Sequence, residues 1–274
     1  MAWILRGLRD GIVTTRYPRR RDGYEAGYRG AIDVASLPLD ADGSRPGGAG
    51  VASVAAMCPT GAIDTAVGSD GGHGVRLDRG RCILCGRCVE ADPERFAFTS
   101  TVEPAVLGRD ALVVPSTDED DAALDRMRRQ LQRRVKALRR SIHVRHVDAG
   151  SDGSEEWEVA ALLNPIYDVQ RLGIFFTATP RHADVLLATG VGTAGMAGPL
   201  RRTYDAMPEP KVVVAAGTDA TSGGLVHPSY AAGAGIGAIV PVDVWVPGSP
   251  PSPFSLLHGI LLGIGLLPAS QVAP

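Results

Sequence analysis

All four cysteines of this 274-residue chain lie between residues 58 and 88, and none follows Cys88. Three recur at every third position in the run Cys82-Ile83-Leu84-Cys85-Gly86-Arg87-Cys88, and the fourth opens the run Cys58-Pro59-Thr60-Gly61-Ala62-Ile63. They are spaced as ligands of one shared site would be, and such a site dictates how the chain around it must turn. A zinc site would be expected to show two C-x2-C pairs; three cysteines at a spacing of three plus a distant Cys-Pro match that poorly. Disulfides need an oxidising compartment, and residues 1–11 carry arginines but no sustained apolar stretch, so no signal peptide is expected. Unligated thiols are the remaining alternative.

The pattern fits an iron–sulfur cluster. In the C-x2-C-x2-C-x3-C-P repeat of bacterial two-cluster ferredoxins, the fourth cysteine of one repeat ligates the cluster held by the other. By that rule Cys58 closes the site begun by Cys82, Cys85 and Cys88, and one 4Fe–4S cluster is expected on these four residues. The partner cluster's ligands would fall at Gly48, Val51, Val54 and Asp92. None of these is a thiol, so the pattern reads as a ferredoxin fold that has dropped one whole cluster and kept the other.

Length and patterning suggest two domains and a connector. Residues 1–115 carry the cysteines and a flexible, Gly/Asp/Ser/Pro-rich stretch at 40–50; residues 116–140 form a linker, with a helix expected over 117–140. Thr117 can cap that helix, Asp118, Glu119, Asp120 and Asp121 suit its positive end, and arginines crowd the other. Leu124, Met127, Leu131, Val135 and Leu138 recur at helical intervals, so one face is expected to pack and the arginine-rich face to be solvated or to meet an acidic partner or anionic lipid. Residues 141–274 alternate strand-like segments (142–147, 174–178, 185–189, 211–216, 239–245) with helix-like ones (155–163, 196–207, 254–267). That alternation indicates an α/β domain with a parallel sheet, whose sites form at the carboxyl ends of the strands. No apolar run reaches the ~18–20 residues needed to span a bilayer. A net charge of −2 and the lack of aromatics among the basic residues argue against nucleic acid.

Several motifs lie in the strand-end loops in order: Asn164-Pro165-Ile166-Tyr167-Asp168, Thr179-Pro180-Arg181-His182-Ala183-Asp184, Pro199-Leu200-Arg201-Arg202-Thr203-Tyr204-Asp205, Met207-Pro208-Glu209-Pro210-Lys211, and the run 241–248. With them, residues 141–265 resemble the small, cluster-bearing subunit of energy-converting group 4 nickel–iron hydrogenases and its homologue in respiratory complex I, the NADH–quinone oxidoreductase. Leu5-Arg6-Gly7-Leu8 and Val13-Thr14-Thr15-Arg16-Tyr17-Pro18 are similar to the ferredoxin-like subunit of the same complexes. The resemblance implies a fusion of two neighbouring subunits: an α+β ferredoxin-like domain followed by an α/β flavodoxin-like domain.

In that family the small subunit holds a 4Fe–4S cluster on four cysteines. The matching positions here are Asp152, Glu155, Asp219 and Ser249, so every thiol is replaced by an oxygen ligand. Oxygen is a hard donor and a poor substitute for thiolate on a cluster. The expected outcome is a pocket filled by hydrogen bonds and water, with a hard divalent ion such as magnesium at Asp152, Glu155 and Asp219 as the alternative. Arg181 and His182, which in the family lie near the lost cluster, would there tune a redox centre or position a substrate; with no cluster beside them, they are expected to pair with the new acids.

The implied function is an electron-transfer subunit, not catalytic alone, at the cytoplasmic side of the cell membrane. Its implied partners are a large catalytic-type subunit and membrane-arm subunits. Arg79, Arg81 and Arg87 would either raise the cluster's potential or be surface charges. The alternative function is a coupling scaffold whose cluster is not redox-active. Without the second cluster, an electron is expected to face a crossing of the whole carboxyl-terminal domain.

Overall fold

The computed structural model describes residues 2–20, 22–23, 25–35, 50–67, 73–115, 118–138 and 141–267. The stretch at 40–49, Gly48 and the capping residue Thr117 lie outside these.

The amino-terminal region begins with helix α1 (Ala2–Asp10) and builds two small antiparallel sheets. Strand β1 (Ala31–Val34) pairs with β4 (Phe96–Thr99), and β3 (His73–Asp78) lies between β2 (Ile63–Val67) and β5 (Val113–Val114). Helices α2 (Val51–Met57) and α3 (Arg87–Ala91) carry cysteines at or beside their ends. Ile32, Val51, Val54, Ile63, Leu77 and Phe96 form one core together with Cys82 and Cys88. Two of the positions expected for a second cluster, Val51 and Val54, are thus core side chains, and a third, Asp92, is buried in an ion pair with Arg95 at 3.1 Å.

Helix α4 (Asp118–Arg134), extended by a 3₁₀ turn at Val135–Ala137, joins the two regions. Leu131 and Val135 are buried and Leu138 is partly so, as the helical spacing predicts. Met127 is 46% exposed, contrary to that pattern, and the side chain of Leu124 lies outside those described.

The carboxyl-terminal region is an α/β unit. Its five parallel strands run in the order β10 (Val244–Val246), β9 (Val212–Ala216), β8 (Val185–Thr189), β6 (Ile142–Asp148), β7 (Ile174–Phe176). Every residue of β8 and β9 is buried, because side chains alternate between two covered faces. Val185, Leu187, Val212 and Val214 meet helix α8 (Pro253–Gly263) on one face. Leu186, Ala188, Val213 and Ala215 meet Leu200 of α6 (Ala194–Ala206) on the other. The glycines of α8 explain how an otherwise apolar helix presses so closely on the sheet: a Cβ on Gly259 would lie 2.3 Å from Val246, and one on Gly263 2.9 Å from Val212. The last strand covers only Val244–Val246, because residues 236–238 form a 3₁₀ turn where the sequence suggested that β structure soon begins.

The two regions share packing. Tyr17, Ala105 and Leu107 join the core under α8, and Val106 exchanges backbone hydrogen bonds of 2.9 and 2.8 Å with Trp245 at the sheet edge. The buried imidazole of His258 accepts from the Ala105 N–H at 3.3 Å, and burial lowers its pKa to about 4, so it is neutral there.

Candidate functional site

The four cysteines line one cavity, together with Ile32, Val54, Ile63, Leu77 and Arg87. Cys58 terminates α2, and Pro59 follows where a helix cannot continue. Gly61, at φ +59°, then turns the chain so that the Ala62 N–H reaches the Cys58 sulfur at 3.3 Å. The loop 82–88 turns through Leu84 at φ +56° and Gly86 at φ +80°; a Cβ on Gly86 would press on the Phe98 ring at 3.3 Å. This turn aims the Leu84 N–H at the Cys82 sulfur, 3.4 Å away. Cys82 and Cys88 are buried and Cys85 is exposed. Burial pushes the Cys82 thiol up to about 12 and raises Cys88 as well, so iron must displace protons when it binds, and loading depends on pH.

The donor set fits a cluster. Four thiols surround a cavity, backbone N–H groups point at two of the sulfurs, and the remaining lining is largely apolar. Of the nearby arginines, Arg79 is buried, pairs with Asp33 and donates to the Ile32 carbonyl at 3.0 Å. Arg81 pairs with Asp78 at 3.6 Å. Only Arg87 lines the cavity.

The cysteine loop is fastened to the α/β unit. Helix α7 (Thr218–Ser222) begins at the carboxyl end of β9, and its buried Thr218 donates to the Cys82 carbonyl at 3.0 Å. Thr221 donates to the Gly80 carbonyl at 2.5 Å. Arg109 grips Asp78 with two hydrogen bonds of 2.8 and 2.7 Å and donates to the Thr221 carbonyl at 3.2 Å. Gly80 is required there, since a Cβ would lie 2.7 Å from the Arg109 guanidinium. Sequence reasoning missed Thr218, Thr221 and Arg109, because contacts across more than a hundred residues leave no local period. They set the cysteine site beside the strand-end loops.

The oxygen-bearing positions lie at those same loops. Glu155, in the first turn of α5 (Ser154–Ala161), is only 2% exposed and rests on Gly217, where a Cβ would come within 2.5 Å of its carboxylate. Burial first, then Asp219 and Asp152, raises its pKa to about 7. Asp219 lies against Gly224 and is also raised, by burial and then by Asp152 and Glu156. Asp152 is exposed, and hydrogen bonds from the Ser154 hydroxyl and then from the Ser154 N–H, the latter at 2.9 Å, lower its pKa. Ser249 is exposed, on the loop whose Gly248 carbonyl accepts from the Thr218 N–H at 2.7 Å. The structure therefore gathers Asp152, Glu155 and Asp219 but leaves Ser249 outward. Arg181 and His182 are exposed, and among the described residues no ion pair joins either to Glu155 or Asp219. The expected neutralisation is absent because both lie in a 3₁₀ turn, Pro180–His182, that precedes β8 and so sits at the amino end of the sheet. A second network missed from the sequence joins Glu156 to Thr189 at 2.5 Å, with His146 3.0 Å from the same hydroxyl.

Residues 153–262 match the family described as NADH ubiquinone oxidoreductase, 20 kDa subunit, and residues 75–125 match a 4Fe–4S single cluster domain. The chain is 39% identical over 159 residues to formate hydrogenlyase subunit 7 of Escherichia coli, covering 58% of this chain and 61% of that protein. It thus spans less than two thirds of that relative. It is 39% identical over 141 residues to the probable membrane-bound hydrogenase subunit mbhJ of Pyrococcus furiosus, covering 50% of this chain and 84% of the other. A chain in the structure of a membrane-bound sulfane sulfur reductase, an archaeal respiratory membrane complex, aligns with a TM-score of 0.43 at 30% identity, over 48% of this chain and 74% of that one. The protein belongs to the NADH ubiquinone oxidoreductase 20 kDa subunit family. Its relatives are subunits of hydrogenase-like and complex I-like assemblies, and it carries a 4Fe–4S domain in addition.

Proposed function

We propose that this chain is an electron-transfer subunit of a membrane-associated, hydrogenase-like or NADH–quinone oxidoreductase-like complex, holding one 4Fe–4S cluster on Cys58, Cys82, Cys85 and Cys88. In this reading residues 1–115 are a ferredoxin-like domain fused, through the linker at 116–140, to a small-subunit domain at 141–274 that has lost its own cluster cysteines. When bound, such a cluster takes up and releases single electrons. The observation that carries the proposal is the fastening of the Cys82 loop to α7 by Thr218 and Thr221. It holds the cysteine cavity against the strand ends, the face where sites form in a parallel α/β sheet, and there a large catalytic-type partner would approach. Membrane-arm subunits would hold the chain at the cytoplasmic face. Among the described residues no helix is long and apolar enough to cross a membrane.

A second reading has support from packing. Cys82 and Cys88 belong to the amino-terminal core, so a bound cluster would also stabilise that region, and a coupling scaffold would need nothing more. A potentiometric titration of the anaerobic protein, followed by electron paramagnetic resonance, separates the two. Reversible one-electron reduction in the range of low-potential physiological donors is expected. A centre that stays oxidised throughout that range would leave only the scaffold.

A further inference from the structure

Arg79 is buried beside the cysteine cavity, a costly place for a cation. Its side chain is only 6% exposed. Its Nε–H donates to the Ile32 carbonyl at 3.0 Å, and its guanidinium pairs with Asp33, the next residue of β1. Ile32 in turn lines the cavity. The backbone of Arg79 is fixed as well. Its N–H donates to the Leu112 carbonyl at 2.8 Å, and its own carbonyl accepts from the Cys82 N–H at 3.3 Å. The cation is thus pinned against a residue of the cavity wall, three positions before the first cysteine of the 82–88 turn.

Packing alone gives little reason for a charge there. A buried ion pair adds little net stability, and an apolar side chain of similar volume often serves a core as well or better. Burial pulls the pKa of Arg79 from 12.5 down to about 10, opposed by Cys82, so it stays charged at neutral pH. The two ends of the pair are unequal. The Asp33 side chain is 31% exposed, so water screens the acid more than the cation. The cavity therefore feels a net positive charge. The other arginines differ: Arg81 is half exposed and pairs with Asp78, and Arg87 lines the cavity but faces solvent.

We propose that the Arg79–Asp33 pair sets the reduction potential of the centre held by the four cysteines, Arg79 raising it and Asp33 limiting the rise. This inference rests on the cluster reading above. Reduction adds one electron, and with no proton taken up it adds one negative charge to the cavity. A cation fixed in the low-dielectric interior stabilises that added charge more than a solvated cation does. Charge and solvent exposure around a cluster are among the means by which a protein sets its potential. A purely structural staple between β1 and the cysteine turn would not require opposite effects from its two halves.

The test is a potentiometric titration, read by electron paramagnetic resonance with dithionite as the electron donor. It compares the iron-loaded full-length wild type with Arg79→Gln, Arg79→Lys, Asp33→Asn and Arg87→Gln. At one potential near the wild-type midpoint, Arg79→Gln is expected to lower the ratio of reduced to oxidised cluster about tenfold, or about 59 mV for one electron. Arg79→Lys keeps the charge and Arg87→Gln removes one already screened, so both should stay within about threefold of the wild type. Asp33→Asn should raise the ratio by about threefold or more, because it leaves the cation without its counter-charge. An unchanged ratio in Arg79→Gln at full iron content would overturn the inference. So would Arg79→Gln and Asp33→Asn shifting the ratio in the same direction, the mark of a loosened fold. If only Arg79→Gln fails to hold iron, Asp33→Asn decides: a raised ratio supports the inference, and a lowered or unchanged one overturns it. Loss of iron from both would mark a structural staple and overturn it too. A wild type that takes up no electron would sink the electron-transfer reading together with this inference, whereas a reversible wild type with indifferent variants sinks only this one.

Discussion

Replacing Cys58 with serine is expected to lower bound iron from about four per chain to three or fewer, through loss or conversion of the cluster. The expectation is sharp because Cys58 is the ligand least evident from local sequence. It stands outside the 75–125 match to a single cluster domain, about two dozen residues before Cys82. Yet α2 ends so as to bring its sulfur to the same cavity wall as Cys82, Cys85 and Cys88. The Ala62 N–H at 3.3 Å and the Thr60 hydroxyl at 3.7 Å are already directed at that sulfur. A serine oxygen would be shorter and harder, suited neither to the reach nor to the soft iron–sulfide core. Iron analysis and visible absorption of the anaerobically purified variant check this. Unchanged iron in the Cys58→Ser protein would mean that the fourth ligand lies elsewhere.

Glu155→Gln is expected to stabilise the protein above neutral pH and to do little near pH 4. Glu155 has its pKa raised from 4.5 to about 7, first by burial and then by Asp219 and Asp152. A raised carboxyl keeps its proton in the folded state while the unfolded chain releases it. Its contribution is therefore fully present below pH 4.5, is lost as pH rises, and has gone by about pH 7. The shift corresponds to a loss of about 3 kcal/mol by pH 8. Asp219, also raised, pushes the same way, and among the described residues no ion pair joins a cation to either. Denaturant unfolding of the variant and the wild type should show a difference that grows between pH 5 and pH 8 and favours glutamine. An equal difference at both pH values would show that Glu155 is not held neutral in the fold.

The sheet was legible because its signals are local. Val185–Thr189 is an unbroken apolar run, and it is the strand buried on both faces. The glycines that seem to interrupt 254–267 are where α8 meets the sheet most closely. The cysteine spacing likewise anticipated a shared cavity. What could not be read was how one region sits on the other. Thr218 and Cys82 are 136 residues apart, and Thr221 and Gly80 are 141 apart; no periodicity encodes such a meeting. Alignment by motif placed Asp152, Glu155 and Asp219 at neighbouring strand ends but could not show that Ser249 turns outward or that Arg181 sits at the other end of the sheet.

The central claim is a single inorganic centre held by four thiols, with the acids at the neighbouring strand ends holding none. Iron and acid-labile sulfide, counted per chain on anaerobically purified full-length protein, test this most directly. About four of each are expected, the content of one 4Fe–4S cluster. About eight of each would show that the oxygen-bearing loops are occupied after all, and a count near zero would remove the centre itself.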